Sequence, residues 1–584
     1  MLQSAAEGKA YLKRFGSTVY GFANCLLVMG LFAARHYFQI SSSSLLQPVT
    51  LFFILESVLF LLAPFVAKRD GLVPDRRTPW FRVMGSLLLA GILLHFAAAL
   101  AGWGARWIPE PGVTASVYAF LMAGRVILRM IIRLAGRLNP ALVLPASFLI
   151  TILLGALLLM HPKATPEGYT ITFTDAFFTS ASATCVTGLS VIDTEKDFTG
   201  FGQSIILLLI QTGGLGIMTF AAFFALSLGK NLSLRDAFSL SRLMDSDFIS
   251  DLKQIIVSII MWTLVIEIVG ALMLMSTWRG LRPEWSMGEL VWQSVFHSVS
   301  AFCNAGFSLN SSNLEGFSGS PATSVIIGSL IVLGGLGFGV LTAITMRWVG
   351  FIRTGRRMRL PLQSRFVCLM TFILIVLAFT AFLGLEWNNT LKGMNLEDKL
   401  ANSFLQAVTP RTAGFNTVPT ASLLPQIRWL FILLMFVGAS PGGTGGGVKT
   451  TALGLMLLST RSLITGKLNP EIWKRRIPNF DLRRAGAIFT IGFVVFSASA
   501  FALLLSEKAA MGSREPMEYV FESMSAFGTV GLSTGVTPGL TTLGKWIVII
   551  TMFIGRTVPA TLAAATFRVD SSKYLYPEAR ITIG

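Results

Sequence analysis

The sequence predicts an all-α membrane protein that crosses the bilayer many times, with four helix–pore-loop–helix repeats. Of its 584 residues, 53% are hydrophobic and only 13% are charged, a composition typical of membrane proteins. Apolar runs of about 20 residues, long enough to cross the hydrocarbon layer as a helix, recur along the whole chain. A more polar stretch that contains glycine recurs four times between such runs. This repetition predicts pseudo-fourfold symmetry around one pore.

The first element, residues 1–138, is predicted to be an extension of about four transmembrane helices. Its last apolar segment carries four arginines at intervals of four residues, which places them on one stripe of a helix. We favour an interface helix whose arginines reach the lipid headgroups. A voltage sensor is the alternative, although Glu56 is the one clear acidic partner in the second segment. The stripe consists of Arg125, Arg129, Arg133 and Arg137.

The four repeats follow in order, and the chain is predicted to end in a cytoplasmic tail at residues 568–584. Each repeat contains an apolar helix, a semi-polar stretch with a key glycine, and a second apolar helix. The key glycines are spaced at nearly equal intervals, which is the signature of an internal repeat. The predicted boundaries are 139–229, 230–346, 347–460 and 461–567.

The net charge of +18 is carried largely by short basic clusters between the apolar runs. Such clusters mark the cytoplasmic side of membrane proteins, so they indicate orientation rather than binding of nucleic acid. We therefore expect a multi-pass protein of the cell inner (plasma) membrane, in contact with lipid, with both termini in the cytoplasm.

The four semi-polar stretches are too short to span the bilayer and lie opposite the basic loops, so each is predicted to enter the membrane and return. Non-helical backbone is stable at that depth only where it lines a watery cavity. Carbonyl oxygens from four converging loops can replace the hydration shell of a cation, and glycine permits the positive φ this requires. Ordinary helix-ending glycines are the alternative, which four matched copies disfavour. The candidate filter residues, acting mainly through backbone carbonyls, are Val186, Thr187, Gly188, Asn304, Ala305, Gly306, Thr412, Ala413, Gly414, Thr529, Val530 and Gly531.

These stretches resemble the filter segments of the Trk/Ktr/HKT superfamily of potassium uptake proteins, in particular those of the bacterial ion-translocating subunits. The matching sequences are CVTGLS, FCNAGFS, RTAGFNT and FGTVGLSTG. The resemblance implies channel-like transport, with potassium as the favoured ion because all four key positions are glycine, and with sodium as a second candidate. It also implies a homodimer and a cytoplasmic nucleotide-binding regulatory subunit.

The third repeat contains a glycine-rich interruption of its second apolar helix, FVGASPGGTGGGVKTTALG. Proline and clustered glycines cannot hold a regular helix there. A packing face for another helix is the alternative, but it would need glycine at every fourth residue. In the family, this position is an intramembrane gate, which works with an arginine in the last span. The candidate gate residues are Gly442, Gly443, Thr444, Gly445, Gly446, Gly447 and Arg556.

Arg556 stands alone inside the last apolar span, and a charge at that depth usually faces a water-filled cavity. Among the other ionisable residues, Glu267 is expected to bind a polar neighbour or a helix end, and His297 to be a packed, hydrogen-bonded side chain. Arg411 is expected to brace the third loop, since a cation next to the ion would repel it. Lys449 could pair with a carbonyl or a glutamate.

Three other functions compete with a potassium channel. One is a symporter coupled to sodium or protons, in which broken helices form a site near the membrane midplane. A voltage-responsive cation channel is the second. An enzyme is disfavoured, because the chain has only four histidines and contains neither HExxH nor GxSxG.

Overall fold

The computed structural model describes residues 140–228, 252–355, 359–467, 470–509, 512 and 514–565. All of them belong to one compact unit, Ala135–Gly584. The regular secondary structure of this part of the chain is helical, apart from one short hairpin and an isolated bridge between Val437 and Val448, which confirms the predicted helical class. The predictions for the N-terminal extension, its arginine stripe and the C-terminal tail lie outside the described residues.

The helices fall into a recurring order in which long helices alternate with short ones. The first two groups are α1 (Pro140–Leu159), α2 (Phe173–Thr184) and α3 (Gly200–Leu228), then α4 (Leu252–Leu281), α5 (Met287–Cys303), α6 (Pro321–Leu336) and α7 (Phe338–Thr354). The third group is α8 (Leu362–Glu386), α9 (Leu396–Val408), α10 (Pro425–Phe436) and α11 (Thr450–Ile464). The last is the hairpin β1 (Glu471–Ile472) and β2 (Arg475–Arg476), then α12 (Asn479–Ser506), α13 (Pro516–Gly528) and α14 (Thr542–Ala565).

Three of the described helices are long and apolar enough to cross a membrane by themselves: Ile259–Leu281 within α4, α8 and α12. These helices present large apolar side chains outward; Ile268 of α4, for example, is 58% exposed. An apolar outer face is stable in contact with lipid tails, and this agrees with the composition of the chain.

The short helices α2, α5, α9 and α13 are largely buried, although α2 and α5 carry several serine or threonine side chains. The first two of these helices begin at side-chain caps. Thr172 caps α2 by accepting a hydrogen bond from the Asp175 amide (3.2 Å), and Ser286 forms a capping box with Glu289 at the start of α5. The caps satisfy amides at the helix starts that have no partner within the helix.

The second helix of the second group differs from the sequence prediction of one uninterrupted span. It is divided at Gly337 (φ 90°) into α6 and α7, which meet at an angle of 101°. A side-chain carbon on Gly337 would collide with the backbone of Gly442 and of its neighbours. The break therefore exists because another part of the chain passes against it, and that contact could not be read from the local sequence.

Candidate functional site

Four three-residue segments, here called glycine segments 1 to 4, follow the short helices at 186–188, 304–306, 412–414 and 529–531. Their glycines approach one another in a closed cycle that follows the order of the sequence. A side-chain carbon on any of them would meet the carbonyl oxygen of the middle residue of a neighbouring segment. The pairs are Gly188 with Ala305, Gly306 with Ala413, Gly414 with Val530, and Gly531 with Thr187.

The backbone of each glycine segment is left-handed at its first and third residues. The glycines have φ of 93°, 71°, 76° and 93°, and the first residues are Val186 (58°), Asn304 (60°), Thr412 (71°) and Thr529 (50°). For the three β-branched residues this conformation costs about 1–3 kcal/mol each, so the surroundings must enforce it. Sequence analysis missed this strain, because valine and threonine carry no local signal for positive φ.

In glycine segments 1, 2 and 4 the middle amide donates to a carbonyl of the preceding short helix, from Thr187, Ala305 and Val530 to Ser182, Ser300 and Ser525, each at 2.8 Å. In segment 3 the amide of Ala413 donates to Thr409 O, just past the end of α9, at 3.0 Å. In a trans peptide, the N–H and the preceding C=O point in opposite directions. The first carbonyl of each segment therefore points away from the carbonyl that its middle amide bonds.

The short helices add a favourable electrostatic field. α5 and α13 end directly at a glycine segment, α2 ends one residue before its segment and α9 ends three residues before its own. The C-terminus of a helix carries a partial negative charge. None of the twelve segment residues has an acidic side chain. The centre of the cycle is thus suited to a monovalent cation, which backbone dipoles attract without binding it as tightly as carboxylates would.

Polar contacts beyond the glycine segments join each of the four groups of helices to the next. The last and first groups are tied by Lys545 Nζ and Asp175 Oδ1 at 2.7 Å. These contacts hold the four groups together in addition to the close approach of the glycines. The other ties are Ser311 N to Glu195 (2.7 Å), Asn416 Nδ2 to Glu315 (2.8 Å) and Arg428 with Glu515 (3.9 Å).

A cavity of about 440 Å³ opens onto glycine segments 1 and 2, where Gly188 and Gly306 both line it. Asp193 and Asp197 lie in its wall together with Asn310. A polar cavity of this size holds several waters, so an ion could approach the glycines while still hydrated.

The 440–447 loop joins α10 to α11 and lies against the start of glycine segments 3 and 4. Side-chain carbons on Gly445 and Gly446 would collide with the side chains of Thr412 and Thr529 respectively. The loop is glycine-rich because its backbone touches these threonines directly.

The break between α6 and α7 holds one side of the 440–447 loop. Ser440 N donates to Gly335 O (3.0 Å), and Thr444 N donates to Gly334 O (3.2 Å). The amide of Phe338 donates in return to Gly442 O (3.1 Å). The 440–447 loop, which belongs to the third group of helices, is therefore bound to the bend in the second group.

Arg556 of α14 holds the other side of the loop. Its Nη1 donates to the carbonyl of Thr444, and its Nη2 donates to Gly213 O at 2.8 Å. Lys449 Nζ donates to Gly445 O at 2.7 Å, so of the two partners considered for it, the carbonyl is found. Two basic side chains thus lie at the loop, and their positive charge would repel a cation placed beside them.

The remaining ionisable residues lie outside the glycine segments. Glu267 is buried and accepts from Gln211 Nε2 at 3.2 Å, the polar neighbour expected for it. His297 is buried and hydrogen-bonded, as expected. Arg411 is buried too, but its Nε has no hydrogen-bond partner in the described parts of the chain, so its bracing role stays a prediction.

Glycines of the second helices also shape the site, and sequence analysis did not single them out. Gly213, Gly334 and Gly555 each lie against the carbonyl of a residue near the end of a short helix: Thr184, Phe302 and Phe527 respectively. These contacts set how closely the second helices approach the glycine segments. In an apolar helix a glycine is common, so only the partner reveals its function.

We expect Gly334→Ala to lower the free energy of unfolding by about 1–3 kcal/mol, the usual result of overpacking. The added carbon would collide with the Phe302 carbonyl, which is backbone and cannot rotate away. Gly339→Ala is the matched control, since that position has open space. Thermal unfolding in detergent measures both, and equal melting temperatures for the two variants would contradict the packing role of Gly334.

A sequence profile of the TrkH family, described as cation transport protein, matches residues 140–574. The Ktr system potassium uptake protein B of Bacillus subtilis is 36% identical over 450 residues, which are 77% of this chain and 97% of that protein. The potassium/sodium uptake protein NtpJ of Enterococcus hirae is 34% identical, over 77% of this chain and 99% of its own length.

Among solved structures, the potassium transporter TrkH from Vibrio parahaemolyticus is similar in fold. It matches with a TM-score of 0.55 and 20% sequence identity, over 89% of this chain and 98% of its own. The described helices and the sequence profile therefore agree on one fold family.

Proposed function

Because this chain belongs to the TrkH family of cation transport proteins, we propose that it carries potassium ions across the membrane as a channel-like uptake subunit. The observation that supports this most directly is the closed cycle of the four glycine segments. Relatives at 36% and 34% identity are named for potassium uptake and for potassium/sodium uptake. Glycine at all four key positions favours potassium, with sodium as the second candidate ion.

The twelve residues of the glycine segments form the selectivity filter in this proposal. Their carbonyl oxygens replace the hydration shell of the ion, and the four short helices direct their negative ends towards it. The close approach of the glycines explains why no larger residue fits.

The four groups of helices act as pore repeats with pseudo-fourfold symmetry around one pore, preceded by the N-terminal extension. We assign the repeats to residues 139–229, 230–346, 347–460 and 461–567, and the extension to residues 1–138. The polar ties between successive groups support the closed arrangement.

The 440–447 loop acts as the gate, with Gly442 to Gly447 in the path and Arg556 as its holder. Its contacts with Thr412 and Thr529 put it next to the filter. To open, the loop must separate either from the α6–α7 bend or from Arg556. Either separation breaks the hydrogen bonds described above.

In the cell, we propose a multi-pass protein of the inner (plasma) membrane with cytoplasmic termini. It would form a homodimer and work with a cytoplasmic nucleotide-binding regulatory subunit. The word "system" in the names of the Ktr relatives supports a regulatory partner.

The proposal is tested by expression in a bacterium that lacks potassium uptake, together with flux in vesicles. We expect growth at limiting potassium to be rescued. In purified vesicles, potassium should flow down its own gradient without a sodium or proton gradient. A flux that needs either gradient would indicate the symporter, a flux that depends steeply on voltage would indicate the voltage-responsive channel, and no flux of any cation would refute transport by this chain.

A further inference from the structure

The second and fourth pore repeats share one arrangement of side chains around the C-terminal end of their glycine segments. Ser308 and Ser533 each stand two residues after the filter glycine. His297 on α5 and Glu522 on α13 each stand nine residues before it. In each repeat, only the end of the short helix and the glycine segment lie between these two residues. A hydrogen bond between their side chains therefore closes this stretch of chain into a ring.

In the second repeat this ring is closed by an imidazole. His297 Nδ1 lies 2.8 Å from the carbonyl of Gln293, which can only accept, so Nδ1 carries the proton. In the neutral ring Nε2 is then the acceptor, and the hydroxyl of Ser308 at 2.9 Å donates to it. The same hydroxyl oxygen accepts from the amide of Asn310 at 3.0 Å.

In the fourth repeat a carboxylate closes the same ring. The hydroxyl of Ser533 donates to Glu522 Oε1, and its oxygen accepts from the amide of Gly535 at 2.9 Å. Glu522 is 1% exposed and His297 is fully buried. Two chemically different side chains therefore perform the same function: each accepts a hydrogen bond from a serine hydroxyl, and the oxygen of that hydroxyl accepts from the amide two residues further on.

The other two repeats are built differently. Thr179 occupies the equivalent place in α2, but its hydroxyl donates to the carbonyl of Asp175 within its own helix (2.9 Å). In the third repeat Leu405 has no polar group, and Asn416 instead donates to Glu315 of the second repeat (2.8 Å). Because the glycine segments meet in sequence order, the two closed rings lie on opposite sides of the pore.

We propose that His297 and Glu522 are positioning residues for ion selection, which hold opposite walls of the filter through Ser308 and Ser533. This inference rests on the proposed function and adds to it the residues that fix the filter width. Since the filter carbonyls belong to the same short loops, loss of either acceptor lets one wall relax, and an ion of another size then fits more easily.

The test compares His297→Ala, Glu522→Ala and Glu522→Gln with the wild type, using potassium and sodium flux in vesicles. We expect both alanine variants to lower the preference for potassium over sodium by roughly tenfold, the scale set by losing a buried hydrogen bond. Glu522→Gln keeps an acceptor oxygen for Ser533 and should retain most of the preference. Thr179→Val is the matched control, because its hydroxyl does not reach the filter, and it should change nothing.

A second measurement does not depend on transport. Hydrogen–deuterium exchange should rise at residues 531–537 in Glu522→Ala and at residues 306–313 in His297→Ala, each without the other. Unchanged ion preference in both folded alanine variants would overturn the inference. If the wild type carries no cation, unchanged local exchange would overturn it separately from the proposed function, whereas increased local exchange would uphold the two rings alone.

Discussion

A variant that lacks residues 442–447 is expected to conduct potassium at rest roughly tenfold faster than the wild type, or more. The loop is held by hydrogen bonds to Gly334 and Gly335 and by Arg556, and each such bond contributes about 1 kcal/mol to the closed arrangement. Without the loop, these hydrogen bonds no longer have to break before potassium can pass. Initial potassium efflux from loaded vesicles, with no regulatory subunit present, measures the effect.

Arg556→Gln tests the same gate without a deletion. It removes the positive charge and the pair of guanidinium hydrogen bonds to the carbonyls of Thr444 and Gly213. The resting flux should therefore rise, as in the deletion. Arg282→Gln is the matched control, since Arg282 pairs instead with Glu284, in the turn between α4 and α5 (3.4 Å). A resting flux that stays the same, or falls, in both the deletion and Arg556→Gln would show that the loop is a packing element.

Replacing Gly188 by serine is expected to lower the preference for potassium over sodium by roughly tenfold, the change produced by about 1.4 kcal/mol. The new side chain would stand against the Ala305 carbonyl on a backbone with φ of 93°. The neighbouring segment must shift, so the proposed filter can no longer keep its spacing. Competition of sodium with potassium influx in vesicles measures the preference.

Gly168→Ser separates the collision from the backbone strain. Gly168 also has a positive φ, 84°, but has open space around it. It should therefore lose some stability and leave ion preference unchanged. If the two serine variants had the same ion preference, Gly188 would not belong to the filter.

The position of the four key glycines could be predicted from the sequence, because a repeat at near-equal spacing is visible without any coordinates. Arg556 could be singled out for a similar reason, since an isolated charge in an apolar run is conspicuous. The family resemblance paired it with the 440–447 loop, but the sequence does not show which atom it contacts: Thr444, whose carbonyl it bonds, lies more than a hundred residues earlier. The left-handed conformation of Val186 and the break at Gly337 were missed because contacts with distant segments impose both.

Hydropathy and repetition can be read along the chain, so the membrane class, the fourfold recurrence and the residues available at each glycine segment follow from the sequence. Which repeat touches which, where the 440–447 loop rests, and the equivalent places of His297 and Glu522 are seen only in the fold, because they depend on close packing between backbones far apart in sequence. Such packing selects glycine or a hydrogen-bond acceptor at a point in space, and one sequence position does not reveal its neighbours.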